Sequence, residues 1–446
     1  MKKVISIALA LLMVAVMLPV MAMAAEVSDE ATLKDAVAAG GEVTLGADIT
    51  ASITIPAGTT VTLNLNGYKL TNEAGKDTIT VKATGNLTIT GNGTVDNVTH
   101  GKAALRIEEN GKATLNGGYF NRSKENGQSG TKPGGNSFYT LINHGELIIN
   151  NGAVVTTASE SSTLGRYSSL VENGYQSHDG RTNNPTLTIN GGTFKGGLNT
   201  IKNDDNGITN IYGGKCENYY QACVQNHHKA TIYNGEFSAD VSSAWSVLNC
   251  GSCSSVDATH DAHELVIKNG NFKGDVRANV GNVEIKGGSF EASFTEEGNA
   301  NIEISGGTFN TDVTPYVGEN TLVVVGGSNY YVGDSAYEAV GNATSGEFTV
   351  VGAPSDESLS FQDVKPGVKV KNEQRNSRII VNGNEVPYGG SYTVPGAPII
   401  IYTPTEDTSK ADNQKNPSTG ANDFVSVAAA MAVVSLLGAA AVIRKK

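Results

Sequence analysis

The stretch LTITGNGTV, residues 87–95, is a phrase that recurs along the chain with small changes. Later copies are ATLNGGYF from Ala113, LIINNGAVV from Leu147, LTINGGTF from Leu187, NIYGGKC from Asn210, TIYNGEF from Thr231, LVIKNGNF from Leu265, VEIKGGSF from Val283 and IEISGGTF from Ile302. Each copy alternates apolar and polar residues, reaches a glycine turn and ends on an apolar residue. Alternation predicts a strand with one buried face, and glycine permits the positive φ of a tight corner.

A second register runs between these copies, where another predicted strand ends in asparagine. The series is Asn110, Asn143, Asn173, Asn203, Asn226, Asn249 and Asn279, in steps of 33, 30, 30, 23, 23 and 30 residues. The residue two positions earlier is apolar in five cases, namely Leu141, Val171, Ile201, Val224 and Val247. Because side chains alternate along a strand, these asparagines should also point inward. Buried amides need partners, which predicts a ladder of stacked asparagines from Asn143 to Asn279.

The two registers alternate one to one, so the sequence predicts an all-β fold in which each coil contains one of each. Steps of about 28 residues with parallel pairing predict a right-handed parallel β-helix, a solenoid of about ten coils over residues 26–345. A β-sandwich is the alternative, but it would not keep an inward asparagine in register. Ser28 or Asp29 should cap a helix over residues 31–39 that covers the first coil, and residues 335–340 suggest a second lid. Residues 346–404 are predicted to form a small β module, and residues 405–419 form a polar linker.

This repeat resembles the right-handed β-helix proteins of the pectate-lyase-like superfamily, particularly the wall-anchored ones of Gram-positive bacteria. The resemblance covers residues 26–345 and implies a fold more than an activity.

The first 24 residues have the pattern of a secretory signal peptide. Lys2 and Lys3 precede an apolar run, and Ala22-Met23-Ala24 offers small residues at a cleavage site. We therefore expect export, with the mature chain beginning after Ala24 or Ala25.

The C-terminal end carries a three-part signal over residues 416–446. Residues 424–443 form an uncharged run of 20, long enough for a transmembrane helix, and the basic residues 444–446 follow it. The pentapeptide Asn416-Pro417-Ser418-Thr419-Gly420 stands just before this run. The arrangement resembles the cell-wall sorting signal of Gram-positive surface proteins, although Asn416 stands where leucine is common. The resemblance implies that sortase cuts after Thr419 and joins it to peptidoglycan, so that the membrane holds the chain only before sorting.

The composition limits the classes of binding partner and the number of disulfides that the chain can form. The formal charge of the whole chain is −12, and removal of the leader and tail makes it −16, which argues against nucleic acid as a partner. Four cysteines in an exported protein allow up to two disulfides in any of three pairings.

One edge of the predicted coils collects two long loops, 174–186 and 250–264, and unusual side chains. The histidines there are His144, His178, His227, His228, His260 and His263, and the aspartates are Asp179, Asp204, Asp205, Asp257 and Asp261. Three interpretations stay open at this edge. It is a solvated corner rich in turn residues, a groove for a glycan or a metal such as calcium, or an active site.

The enzymatic interpretation uses Asp204, Asp205, His227 and His228 as candidate catalytic residues. Polygalacturonase-like β-helices carry an Asp-Asp pair followed by Gly-His-Gly on a later coil and then Arg-x-Lys. Here no glycine flanks the histidines and no Arg-x-Lys follows. A zinc string of Cys250, Cys253, His260 and His263 has a histidine spacing one residue short of the usual range.

These patterns together predict a cell-wall-anchored, extracellular, non-catalytic β-helical stalk or adhesin-like module. Its expected ligand is a glycan or a host surface, and no cofactor is predicted. The alternative is a wall-tethered polysaccharide hydrolase or lyase that acts on uronic-acid or other glycans.

Overall fold

The structure is a computed structural model that describes residues 25–99, 101–123, 138–157, 169–175, 181–239, 244–250, 263–355 and 357–396. The predicted signal peptide and linker, the pentapeptide Asn416–Gly420 and the apolar run 424–443 lie outside the described residues. Within the described residues, no helix combines the length and hydropathy needed to cross a bilayer.

Three long sheets contain nearly all of the strands, and the chain visits them in a fixed cycle. In the described ranges, the first sheet has 12 strands, the second 16 and the third 10. The first sheet comprises Ala25–Val27, Gly41–Leu45, Thr60–Asn64, Asn86–Thr90, Lys112–Leu115, Glu146–Ile149, Thr186–Ile189, Ile208–Ile211, Lys229–Ile232, Glu264–Ile267, Asn282–Ile285 and Asn301–Ile304. The second begins with Ile49–Thr50, Lys69–Thr71, Thr94–Asp96, Tyr119–Asn121, Val154–Thr156, Thr193–Lys195, Lys215–Asn218, Glu236–Ala239, Asn271–Lys273, Ser289–Glu291 and Gly307–Phe309. The third comprises Ile53–Ile55, Ile79–Val81, Leu105–Ile107, Tyr139–Asn143, Ser169–Asn173, Asn199–Asn203, Ala222–Asn226, Trp245–Asn249, Asp275–Ala278 and Phe294–Glu296.

Strands of successive coils pair in parallel and in register. Leu87 pairs with Ala113, Ala113 with Leu147 and Leu147 with Leu187, so each copy of the repeated phrase lies on the one before it. The predicted stack of parallel strands is confirmed as a β-solenoid, and the right-handed sense of its coils stays a prediction.

The core is a set of rows that run along the stack. In the second sheet, one row is a series of stacked rings, with centroids 4.9 Å apart for Phe237–Phe272, 4.6 Å for Phe272–Phe290 and 5.0 Å for Phe290–Phe309. At one strand of this row, Asn271–Lys273, the preceding glycine is required by close approach. A Cβ on Gly270, whose φ is +131°, would lie 3.1 Å from the Gly235 carbonyl oxygen of the coil below.

A helix, Glu30–Ala39, precedes the coils. Asp29 is its N-cap, since the Thr32 amide donates to Asp29 Oδ1 over 2.9 Å, and Gly40 ends it with φ +82°. Leu33 and Val37 are buried in the same hydrophobic cluster as the coils.

The described chain beyond the coils builds a second hydrophobic cluster that includes Leu322, Val350 and Ile379. Its strands in the second sheet are Val323–Gly326, Asn329–Val332, Gly346–Gly352, Val368–Asn372 and Ser391–Thr393, and a small sheet comprises Ser358–Phe361, Arg378–Val381 and Asn384–Val386. A 3-10 turn, Thr314–Tyr316, and a helix, Asp334–Asn342, complete this part. Here antiparallel pairs, as between Gly307–Phe309 and Asn329–Val332, are mixed with parallel ones, as between Gly346–Gly352 and Val368–Asn372, so the regular winding ends.

Candidate functional site

The asparagines of the third sheet form a continuous hydrogen-bonded row inside the solenoid. Each Nδ2 donates to the Oδ1 of the next coil, over 2.7 Å from Asn143 to Asn173, 2.9 Å to Asn203, 2.8 Å to Asn226 and 2.7 Å to Asn249. All five side chains are fully buried. Each buried amide therefore has its partners supplied by the repeat itself.

The row ends at Asn249, one member earlier than the sequence suggests. Ala278 stands opposite Asn249, and the side-chain amide of Asn249 donates instead to the His263 and Val280 carbonyls. Asn279 is half-buried and accepts a hydrogen bond from Arg277, so its placement in the ladder is wrong. The register between the two strands shifts between Trp245 and Val247, so Ala278 takes the position opposite Asn249 and Asn279 falls one residue beyond it.

The residues that follow these asparagines form a second row with the opposite orientation. Backbone amides of Asp204, His227 and Cys250 donate to the carbonyls of Asn173, Asn203 and Asn226 over 2.7, 2.8 and 3.0 Å. The parallel ladder therefore continues one residue past each asparagine. Because alternate side chains face opposite sides, this row lies on the outer face of the third sheet.

Asp204 is buried beside a buried cation. Its Oδ2 lies 2.9 Å from Lys202 Nζ, and both side chains are at most 1% exposed. The Tyr139 hydroxyl lies 3.5 Å from the same oxygen and 3.3 Å from Lys202 Nζ. A buried charge needs such a partner, so the Asp204 carboxylate is held in an ion pair.

Asp205 is also buried, and backbone hydrogen bonds hold it in position. It forms an isolated bridge with Tyr175, with N–O distances of 3.0 and 3.1 Å. The two adjacent aspartates are therefore not presented as a solvent-facing pair. An inverting glycosidase needs two carboxyl groups with room for water and sugar between them, which this arrangement does not favour.

The two candidate histidines have different surroundings. His227 is buried, with Nε2 3.8 Å from Asp204 Oδ1 and its ring nitrogens 3.6 and 3.7 Å from Cys250 Sγ. His228 is half-buried, and its carbonyl accepts from Asn226 Nδ2 over 3.3 Å. The structure thus brings Asp204 and His227 together but not all four predicted residues.

The outer face carries a further row that sequence reasoning missed. Glu172, Lys202, Gln225 and Leu248 are in register on consecutive coils, and all are buried. Burial raises the pKa of Glu172 to about 8, helped by the Asp204 charge and opposed by Lys202. The sequence contained one sign of this row. Glu172 is a polar residue between Val171 and Asn173, which were both predicted to face inward, so Glu172 was expected to face outward.

Two amides on this face are not fully partnered among the described residues. Neither side-chain polar atom of Asn199 has a hydrogen-bond partner, although the residue is fully buried. Gln225 Nε2 donates to Cys250 Sγ over 3.4 Å, but Gln225 Oε1 accepts nothing. Buried polar atoms of this kind normally bind something, so they mark this face as the candidate site.

The first predicted loop is partly described. Tyr175 packs 4.6 Å from the His144 ring, lies under Arg181 and hydrogen-bonds Asn183 and Glu109. Burial, with Arg106 and Arg181 nearby, lowers the pKa of His144 to about 4, so this imidazole is neutral at physiological pH.

The metal predictions find no support within the described ranges. No group of three or more metal-binding side chains occurs there. Of the zinc string, Cys253 and His260 lie outside the described residues, as do His178, Asp179, Asp257 and Asp261. His263 is buried, and neither ring nitrogen has a partner in the described structure. Calcium stays a prediction.

Comparisons with protein-family models, curated proteins and solved structures find no match for this chain. The class that the fold itself defines is a parallel β-solenoid with a buried polar face on its third sheet. Any finer assignment has to come from the signals at the chain ends and from the chemistry of that face.

Proposed function

We propose that this protein is exported, sorted to the wall of a Gram-positive cell through Thr419, and displayed as a right-handed β-helical stalk or adhesin-like module. Its proposed ligand is a glycan or a host surface. The helix Glu30–Ala39 is proposed to close one end of the coils. The observation that carries the proposal is the unbroken parallel pairing of the first sheet from Ala25 to Ile304, flanked in sequence by the predicted leader and sorting signal.

A rigid solenoid suits display because each coil bonds to its neighbours along the axis. Stability then accumulates from identical interfaces, and the module can project away from its attachment point. The acidic balance of residues 25–419 favours projection from an anionic wall.

The geometry supports binding better than polysaccharide cleavage. Asp204 is committed to Lys202, and Asp205 is fixed by its bridge to Tyr175. The hydrolase or lyase alternative requires these groups to reach a sugar, which their burial opposes.

Wall attachment is tested by fractionation of cells that express the full chain. The wild-type protein should appear in the peptidoglycan fraction and be released only by a muramidase. Thr419→Ala should shift it to the membrane and the medium. The matched control is Thr408→Ala, the same change in the linker, which should leave the protein in the wall. A wall fraction unaffected by Thr419→Ala contradicts sortase attachment.

The ligand is tested with a glycan array and a reducing-sugar assay on pectins and mucins. We expect binding without release of sugar ends. Release that disappears in Asp205→Asn would instead establish the enzymatic alternative.

A further inference from the structure

Three side chains with reactive chemistry, those of Cys250, Gln225 and His227, meet on the outer face of the third sheet. Cys250 Sγ lies 3.4 Å from Gln225 Nε2 and 3.6 Å from the nearer ring nitrogen of His227. His227 in turn lies 3.8 Å from Asp204 Oδ1. Asp204, then Gln225 with His227, then Cys250 lie on three consecutive coils, which are ~4.8 Å apart in a parallel sheet.

The parts of this cluster match the needs of an acyl transfer. The thiolate is the nucleophilic form of cysteine, and an adjacent imidazole held by a carboxylate can accept the thiol proton. The electrophile is already present, because the Gln225 side chain is itself an amide in contact with the sulfur. The Gln225 oxygen has no hydrogen-bond partner among the described residues, so within them the amide is held by its Nε2 contact with Cys250.

Burial adds the protection that a reactive bond would need. Gln225 is 4% exposed and Cys250 is 8% exposed, beside Leu248 and Trp245. Exclusion of water slows hydrolysis of an acyl intermediate, and fixed contact raises the effective concentration of the reacting groups by orders of magnitude.

The other described cysteines lack this setting. Cys216 and Cys223 point into the hydrophobic core, where their sulfurs contact backbone carbonyls. Burial raises the pKa of the Cys216 thiol well above its usual value. Cys250 is therefore distinguished by its neighbours and not merely by its residue type.

We propose that Cys250 and Gln225 form an intramolecular thioester, with His227 as the base and Asp204 as its positioning residue. The Sγ–Cδ bond forms and the Cδ–Nε2 bond breaks. The thiol proton passes through His227 to the leaving nitrogen, which departs as ammonia, so no oxidant or reductant is needed.

The thioester gives the proposed surface module a reaction with primary amines. An amine attacks Cδ, the C–S bond breaks, Cys250 regains its proton, and the amine stays bonded to Gln225 as an amide. Since Gln225 is only 4% exposed, the ligand class is a primary amine at the end of a slender chain, such as a lysine side chain of a host-surface protein. The reaction with a host amine rests on the proposed surface display, whereas formation of the thioester does not.

The test is the intact mass of the purified full chain under acidic, non-reducing conditions. We expect a mass lower than the sequence value by one ammonia, and a proteolytic fragment that joins the Gln225 and Cys250 peptides. Methylamine should add to the thioester as a methylamide on Gln225, which leaves the chain one CH2 group heavier than the sequence value, and should expose the Cys250 thiol to alkylation.

Matched variants make the result specific. Cys250→Ser and Gln225→Glu should each abolish the mass deficit, and the second serves if the first fails to fold. Cys216→Ser should keep the deficit. His227→Gln should form the bond only at higher pH, where the thiol ionises without a base. A wild-type chain at full sequence mass with an alkylatable Cys250 overturns the proposal. That outcome leaves wall fractionation and glycan binding as separate tests of the proposed function.

Discussion

Replacing Asn203 by alanine perturbs the centre of the internal asparagine row. Asn203 Oδ1 accepts from Asn173 Nδ2 over 2.9 Å and from Thr209 Oγ1 over 2.7 Å. Its Nδ2 donates over 2.8 Å to Gly207 O and to Asn226 Oδ1, and over 3.0 Å to Lys229 O. The substitution removes five contacts in a fully buried site.

The magnitude follows from what the neighbours lose. A net buried hydrogen bond contributes about 1 kcal/mol, and a polar group left unsatisfied costs about 1–3 kcal/mol. Since several of the partners keep another hydrogen bond, we expect Asn203→Ala to lower the free energy of unfolding by roughly 3–5 kcal/mol. Leucine at this position should be no better, because its side chain satisfies none of the partners.

The assay is urea unfolding of the purified protein, followed by circular dichroism. The matched control is Asn279→Ala, the same substitution at a half-buried asparagine outside the row. We expect this control to change the free energy of unfolding by less than about 1 kcal/mol. Equal losses in the two variants would refute the view that the row, rather than any asparagine at a coil end, stabilises the solenoid.

Three further predictions concern the buried face and the core. Glu172→Gln should change how stability depends on pH. The pKa of Glu172 is raised from 4.5 to about 8, so its contribution is fully present below about pH 4.5 and is lost as pH rises to about 8. In urea unfolding across this pH range, the free energy of unfolding of the variant should rise relative to that of the wild type, by at most roughly 5 kcal/mol at pH 9. A difference between the two proteins that does not change with pH would contradict the raised pKa. Phe272→Ala, in the buried ring stack, should cost about 3–5 kcal/mol in the same assay, whereas Tyr212→Ala, in an exposed stack, should cost under about 1 kcal/mol. Gly174→Ala should lower the melting temperature, because Gly174 has φ +113° and a Cβ there would lie 2.6 Å from Asp205 O; an unchanged melting temperature would show that this corner relaxes freely.

The sequence was sufficient to predict the repeat, because a periodic pattern of residue types is visible in the sequence itself. Alternating residues before each glycine predicted the first-sheet strands, and asparagines two residues after an apolar position predicted the row from Asn143 to Asn249. Asp29 and Gly40 also predicted the bounds of the first helix to within one residue. These features depend on near neighbours in the chain, or on a spacing that each coil repeats.

Only the tertiary structure determined which side chains are neighbours on the outer face of the third sheet. The sequence interpretation grouped Asp204, Asp205, His227 and His228 as a cluster, whereas the structure brings Asp204 to His227 and holds Asp205 in a bridge with Tyr175. It also failed at Asn279, because a shift in register puts Ala278 opposite Asn249. Glu172 and Gln225 were not recognised, because an outward polar residue on a strand is ordinarily solvated, and Cys250 was considered only as part of a zinc string. Their contacts arise from coils 23–30 residues apart in sequence, and the burial of that face is a property of the folded chain that no local pattern encodes.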